Sequence, residues 1–134
     1  MQYNIGIAGP PSGLSDHQVM EVKVHIKEAL QTFEHVKLWV WRDTGARHPV
    51  GTDREDVMIA CARTLTSDRV SLDWFHYSDK PAVSVPQLHT CDIVFICPAN
   101  KASKFKSRTG TLKRHADEAN YRFLRIVHAW LTET

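Results

Sequence analysis

Cysteine is scarce in this chain of 134 residues, and what there is carries no pattern. Cys61, Cys91 and Cys97 lie inside apolar runs, are odd in number and show no CxxC spacing. That argues against a disulfide framework or a zinc site and for three reduced, buried thiols. A dominant sign of charge is lacking too. The formal net charge is only +2, too small to draw nucleic acid or a membrane surface in bulk, so only local clusters can inform. No apolar run approaches a membrane span. The opening MQYNIGIAG has no basic region ahead of a long apolar one, so no signal peptide is read there. Internal repeats, linkers and low-complexity segments are absent as well. A soluble, cytoplasmic protein with residues 1–134 in one domain is expected. The eight histidines are scattered, with no HExxH or HxH pair, so no metal is assigned, and no cofactor.

What is present is an alternation. YNIGIA is β-prone and stops at GPPSG. Ser15 and Gln18 have capping-box spacing, and Val19, Val22, Ile26, Leu30 and Phe33 recur every three or four residues, which predicts a helix. VKLWVW reads as a strand whose Trp39 and Trp41 share one face and pack under a helix. Thr52 and Glu55 form a second capping box before the helix REDVMIACARTL. RVSLDWF reads as a third strand, and HYSDKPAVSVPQLHT, with two prolines, as irregular chain. CDIVFICPA is apolar throughout, as suits a strand covered on both faces, and Ile93–Cys97 is expected at the centre of the sheet. A last helix follows within FKSRTGTLKRHADEANY, and FLRIVHAWL fits a strand, a helix or both, with a strand preferred. The fold class is therefore α/β, a three-layer sandwich around a mostly parallel sheet.

In such sheets ligands bind beyond the carboxyl ends of the strands. Three Gly-containing loops leave strands there and lead into helix N-termini, whose free N–H groups attract anions. The first holds Gly9 and Pro10. The second holds Gly45, Gly51 and Thr52 to shape a phosphate cradle, Asp53 to accept from ribose hydroxyls, and Arg42, Arg47 and Arg54 to pair with phosphate. Capping of turns by Asp43 and Asp53 is the competing reading. The third holds Ser107, Arg108, Thr109, Gly110 and Thr111 in a stretch carrying Lys101, Lys104, Lys106, Lys113 and Arg114. Its expected donors are the N–H groups of Gly110 and Thr111. Its competing reading is a solvated basic loop with a Thr cap. Asp53 is expected near Gly9 and Gly110. Trp74, after the third strand, is a candidate to stack on a base.

These residues resemble a known family. The strand ending at Gly9, GARHPVGTDRE, CDIVFICPA and SRTGTLKRHADEA together resemble the SLOG superfamily of Rossmann-like nucleotide-binding domains. That superfamily includes the Lonely guy phosphoribohydrolases, the DNA-processing protein A family and small stand-alone proteins. GARHPVGTDRE is similar to the stand-alone proteins' GARGxDR with three extra residues, and SRTGT to their S-x-GT element. The resemblance implies phosphate binding and a homodimer. The hydrolases' PGGxGTxxE is not matched: its Glu falls at Arg114, and its paired glycines are missing. GIAGP and CDIVFICPA…TGT are also similar to nucleoside 2-deoxyribosyltransferases, whose nucleophilic Glu has Glu118 as its nearest counterpart. Three functions are therefore weighed. The first is a domain that binds a nucleotide or nucleotide derivative to sense or sequester it. The second is an enzyme at the N-glycosidic or phosphate bond, using Asp53, Asp73 or Asp92. The third, ranked last, is a nucleic-acid-binding module.

Overall fold

The computed structural model describes residues 2–9, 15–42, 57–97 and 107–127. In chain order these form β1 (Tyr3–Ala8), α1 (Asp16–Leu30), β2 (Val36–Arg42), α2 (Val57–Arg63), β3 (Val70–His76), α3 (Pro81–Thr90), β4 (Ile93–Ile96), α4 (Ser107–Glu118) and β5 (Leu124–Ile126). The five strands pair in parallel, in the order β3-β2-β1-β4-β5. The chain steps outward from β1 through β2 to β3, then crosses back to β4 and β5. The order therefore reverses between β1 and β4, as in Rossmann-like folds.

Alternate residues of each strand feed two separate cores. Ile5 and Ile7 of β1, Leu38 and Val40 of β2 and Phe95 of β4 meet Val22 and Ile26 of α1 and Met58, Cys61 and Ala62 of α2. On the other face Ala8, Trp41, Phe75, Val94 and Ile96 meet Leu88 of α3 and Leu112 and Ala116 of α4. The three cysteines are free and buried. Trp39 and Trp41 do share a face. Trp41 is buried, and its Nε1 donates to Gln87 Oε1 of α3 at 3.0 Å. Trp39 stacks on Phe75 with centroids 4.4 Å apart and donates to Asn4 Oδ1.

Local signals explain the element ends. At α1 the capping box forms in both directions: Gln18 N–H donates to Ser15 Oγ, and Ser15 N–H to Gln18 Oε1. Val22, Ile26 and Leu30 are buried as their spacing predicts. The box at Thr52 and Glu55 lies outside the described residues. α4 stops in a Schellman motif: Asn120 takes φ 55°, its N–H donates to Asp117 O, and Tyr121 N–H donates to Ala116 O.

Two expectations are corrected. The segment read as irregular is α3. Pro81 occupies the first turn, where a missing N–H removes no ladder bond, and Ser84 and Leu88 recur at i and i+4 as its buried side, with buried Cys91 as its C-cap. Burial of that side outweighs the bond lost at Pro86, which stands inside the helix. The central strand is β1, with β4 beside it. Both are covered on two faces, so hydropathy alone does not separate them; the direction of the crossovers does. At the centre Gly6 is a packing requirement. A Cβ there would lie 2.8 Å from Trp41 Cζ3 and 2.9 Å from Cys91 Sγ. The last strand reading stands at β5, while 128–134 lies outside the described residues. No helix among the described residues is long and apolar enough to cross a membrane.

Candidate functional site

The strand register sets out the carboxyl edge. Ala8 pairs with Ile96, Ile7 with Val40 and Arg42 with His76. Continuing those registers places Cys97, Gly9, Arg42 and His76 side by side, one at the end of each of four strands. Alternation puts all four on the α1/α2 face. α4 also starts at this edge. Tyr121, just after it, donates its hydroxyl to Cys91 O ahead of β4, so the helix ends at the amino edge. Twelve residues at about 1.5 Å each then carry its first turn back toward the carboxyl edge. Gly9, Arg42 and the start of α4 thereby share the carboxyl edge, Gly9 and Arg42 on the α1/α2 face and α4 on the α3/α4 face. Pro10, Gly45, Arg47, Gly51, Thr52, Asp53 and Arg54 lie outside the described residues, so the expected approach of Asp53 to Gly9 and Gly110 lies outside them too.

Each described member has its own local account. Gly9 makes room for α2: a Cβ on it would sit 2.6 Å from Met58 Sδ. The helix begins at Ser107, three residues before the glycine. A helix leaves free only the N–H groups of its cap and first three residues. Those are here Ser107, Arg108 and Thr109, whereas Gly110 and Thr111 enter the ladder. The donors expected at Gly110 and Thr111 therefore shift one turn back, with the same direction and partial charge. Thr109 is buried, while Gly110 and Thr111 are half-buried. Lys113 pairs with Asp117 of its own helix at 2.7 Å, which takes that cation out of the basic run.

Trp74 lies on the α1/α2 face, partly buried against that core. Two cations approach its indole, with the guanidinium carbon of Arg42 5.4 Å and that of Arg63 5.7 Å from the ring centroid. The indole is therefore a platform for arginine. Arg63 carried no signal in the sequence, because the contact depends on α2 folding over β3.

Of the carboxylates weighed as catalytic, Asp73, Asp92 and Glu118 are described and lie away from the end of this edge, while Asp53 is outside the described residues. Asp73 lies on the α3/α4 face, 3.0 Å from Lys37 Nζ. The Trp74 N–H at 2.8 Å, and then Lys37, hold its carboxyl below the usual range. Asp92 accepts from Asn4 N–H at 2.8 Å at the amino edge. Glu118 ends α4 at that same edge and is exposed. The amino edge also carries a groove of about 310 Å³ lined by Gln2, His35, Asp68, Arg69 and Ser71. Arg69 there donates to Phe33 O at 2.8 Å, so its guanidinium serves the turn after α1.

One polar contact lies deep between the helices of the second face. Ser84 Oγ of α3 and His115 Nδ1 of α4 share a hydrogen bond at 2.5 Å, with both residues buried. At that depth the pair ties two helices together. Comparison of the chain with protein-family models and with curated proteins returns no match.

Proposed function

We propose that this protein binds a nucleotide or nucleotide-derived ligand at the carboxyl edge of its sheet, to sense or sequester it. The observation that carries this reading is the reversal of strand order between β1 and β4, with the first turn of α4 beside it. A crevice forms at such a reversal because the connections leave in opposite directions. The free N–H groups of Ser107, Arg108 and Thr109 would bind a phosphate there, with Arg108 or Lys106 as the charge partner. Gly9 lets α2 sit close, which narrows the crevice on the β1 side. Binding without bond cleavage is the reading we prefer, since two of the three carboxylates weighed for cleavage, Asp73 and Asp92, are committed elsewhere, one to Lys37 and one to the amino edge, and the third, Asp53, lies outside the described residues.

The test is calorimetric titration with adenosine and guanosine mono- and diphosphates. Ser107→Pro removes one donor where a helix tolerates proline, and Arg108→Ala removes a cation. Each should weaken binding about tenfold or more, since a charge-assisted hydrogen bond is worth roughly 1.5–3 kcal/mol. Equal affinity in both folded variants, or no binding by the wild type, defeats the reading. Release of a free base during the titration would favour a hydrolase instead.

A further inference from the structure

Buried polar side chains are as a rule hydrogen-bonded, and an unpaired one calls for an explanation. Among the described residues four polar side chains are buried: Gln18, Ser84, Thr109 and His115. Gln18 is held in the capping box of α1, and Ser84 and His115 hold each other. Thr109 is 3 % exposed, and among the described residues its hydroxyl has no hydrogen-bond partner. A threonine deep in a helix can return its hydroxyl to the carbonyl three or four residues back. Thr109 is the third residue of α4, so no carbonyl of the helix stands behind it at that distance.

The direction of the side chain follows from its stripe. Leu112 and Ala116, three and seven residues further on, pack with Ala8 and Ile96 on the α3/α4 face. That spacing puts Thr109 on the same side of the helix, one turn nearer the carboxyl edge. Its hydroxyl is therefore turned to the sheet where β1 and β4 end. Its N–H is among those the first turn leaves free, and it points along the helix axis. One residue thus offers two donors at a steep angle to each other. A phosphate monoester has three unesterified oxygens. It can give one to the axis and another to the sheet while its single ester bond leads outward. A diester has two such oxygens, and both of its ester bonds would have to clear the helix and the sheet. We propose that the Thr109 hydroxyl contacts the ligand and selects a terminal phosphate monoester over a diester. This rests on the nucleotide reading above and narrows it. Without ligand the hydroxyl is buried unpaired, so the residue that strengthens binding weakens the free fold.

Two measurements on the full chain test it, with Thr109→Val to remove the hydroxyl at nearly constant shape and Thr109→Ser to keep it. In urea unfolding without ligand, the valine variant should be no less stable than the wild type. In calorimetry, the wild type should prefer adenosine 5′-monophosphate to adenosine 3′,5′-cyclic monophosphate by about tenfold or more. The valine variant should bind the monoester about tenfold more weakly, as loss of one charge-assisted hydrogen bond implies. The serine variant should keep the wild-type preference. A valine variant clearly less stable than the wild type overturns the inference, because the hydroxyl is then paired within the protein. Equal wild-type affinity for the two nucleotides overturns it as well. If wild type and valine variant bind the monoester alike, this inference fails while the nucleotide reading stands. If the wild type binds neither nucleotide, the nucleotide reading fails and this inference fails with it.

Discussion

The two faces of the sheet are built from different materials. The α1/α2 face is nearly all aliphatic: Ile5, Ile7, Val22, Ile26, Leu38 and Val40 meet side chain to side chain. The α3/α4 face is aromatic and stitched by polar contacts. Trp41 donates to Gln87, Tyr121 to Cys91 O, and Ser84 is bonded to His115. Aliphatic packing is non-directional and accepts substitutes of similar volume. A buried hydrogen bond needs both partners, and losing one leaves the other desolvated without compensation. The first face should therefore be the tolerant one and the second the particular one.

The largest effect is expected at Trp41. Trp41→Ala removes the biggest fully buried side chain among the described residues, opens a cavity over Gly6 and strands the Gln87 amide. A loss of about 3–5 kcal/mol is expected from the unfolding midpoint in urea. Ile26→Leu, equally buried on the other face, should cost under about 1.5 kcal/mol. Equal losses would erase the contrast.

The thiols probe both faces at once. Burial pushes Cys91, on the α3/α4 face, and Cys97, on the α1/α2 face, up to about 12. A thiol raised from 9.0 in the folded state holds its proton longer folded than unfolded. Its contribution is full below pH 9 and is lost as pH climbs toward 12. Each thiol should add a downward slope of up to about 1.4 kcal/mol per pH unit in that window. Unfolding of Cys91→Ala and Cys97→Ala across pH 8–11 should show a shallower decline in each. An unchanged slope would mean that the thiols ionise without unfolding.

The last comparison tests the stitching itself. Ser84→Ala adds no volume and leaves His115 Nδ1 without its partner, at an expected cost of about 1–3 kcal/mol. Ser84→Thr, which keeps a hydroxyl, should cost less than the alanine variant. If alanine proves the milder of the two, the hydrogen bond contributes nothing and the second face is held by its aromatics alone.

Much of this architecture was legible from local pattern. The period-two placement of Trp39 and Trp41, the helical spacing of Val22, Ile26 and Leu30 and the Ser15–Gln18 box are written within a few residues, and each is realised. α3 was hidden because two prolines and polar residues look like a loop, and only tertiary burial of Ser84 and Leu88 reveals the helix. Strand order was hidden because two strands covered on both faces look alike in hydropathy. The Ser84–His115 contact spans 31 residues and leaves no trace in local spacing. Of the candidate site, the edge carrying Gly9, Arg42 and the start of α4 was legible from the α/β alternation. The start of α4 was not, because the glycine suggested a loop where the helix has already begun.

The turn at Asn120 sets the phase of a screw. An α-helix advances about 100° per residue, so a fixed stop determines the angular bearing of every position before it. Counting back from that stop, His115 faces Ser84, and Leu112 and Ala116 face the sheet. The same count sets the bearing of the first turn of α4 at the carboxyl edge. One residue gained or lost between His115 and Asn120 would rotate the whole upstream helix by a quarter turn or more. The buried histidine, the apolar stripe and the first turn of the helix would then go out of alignment together, although none of those residues had changed.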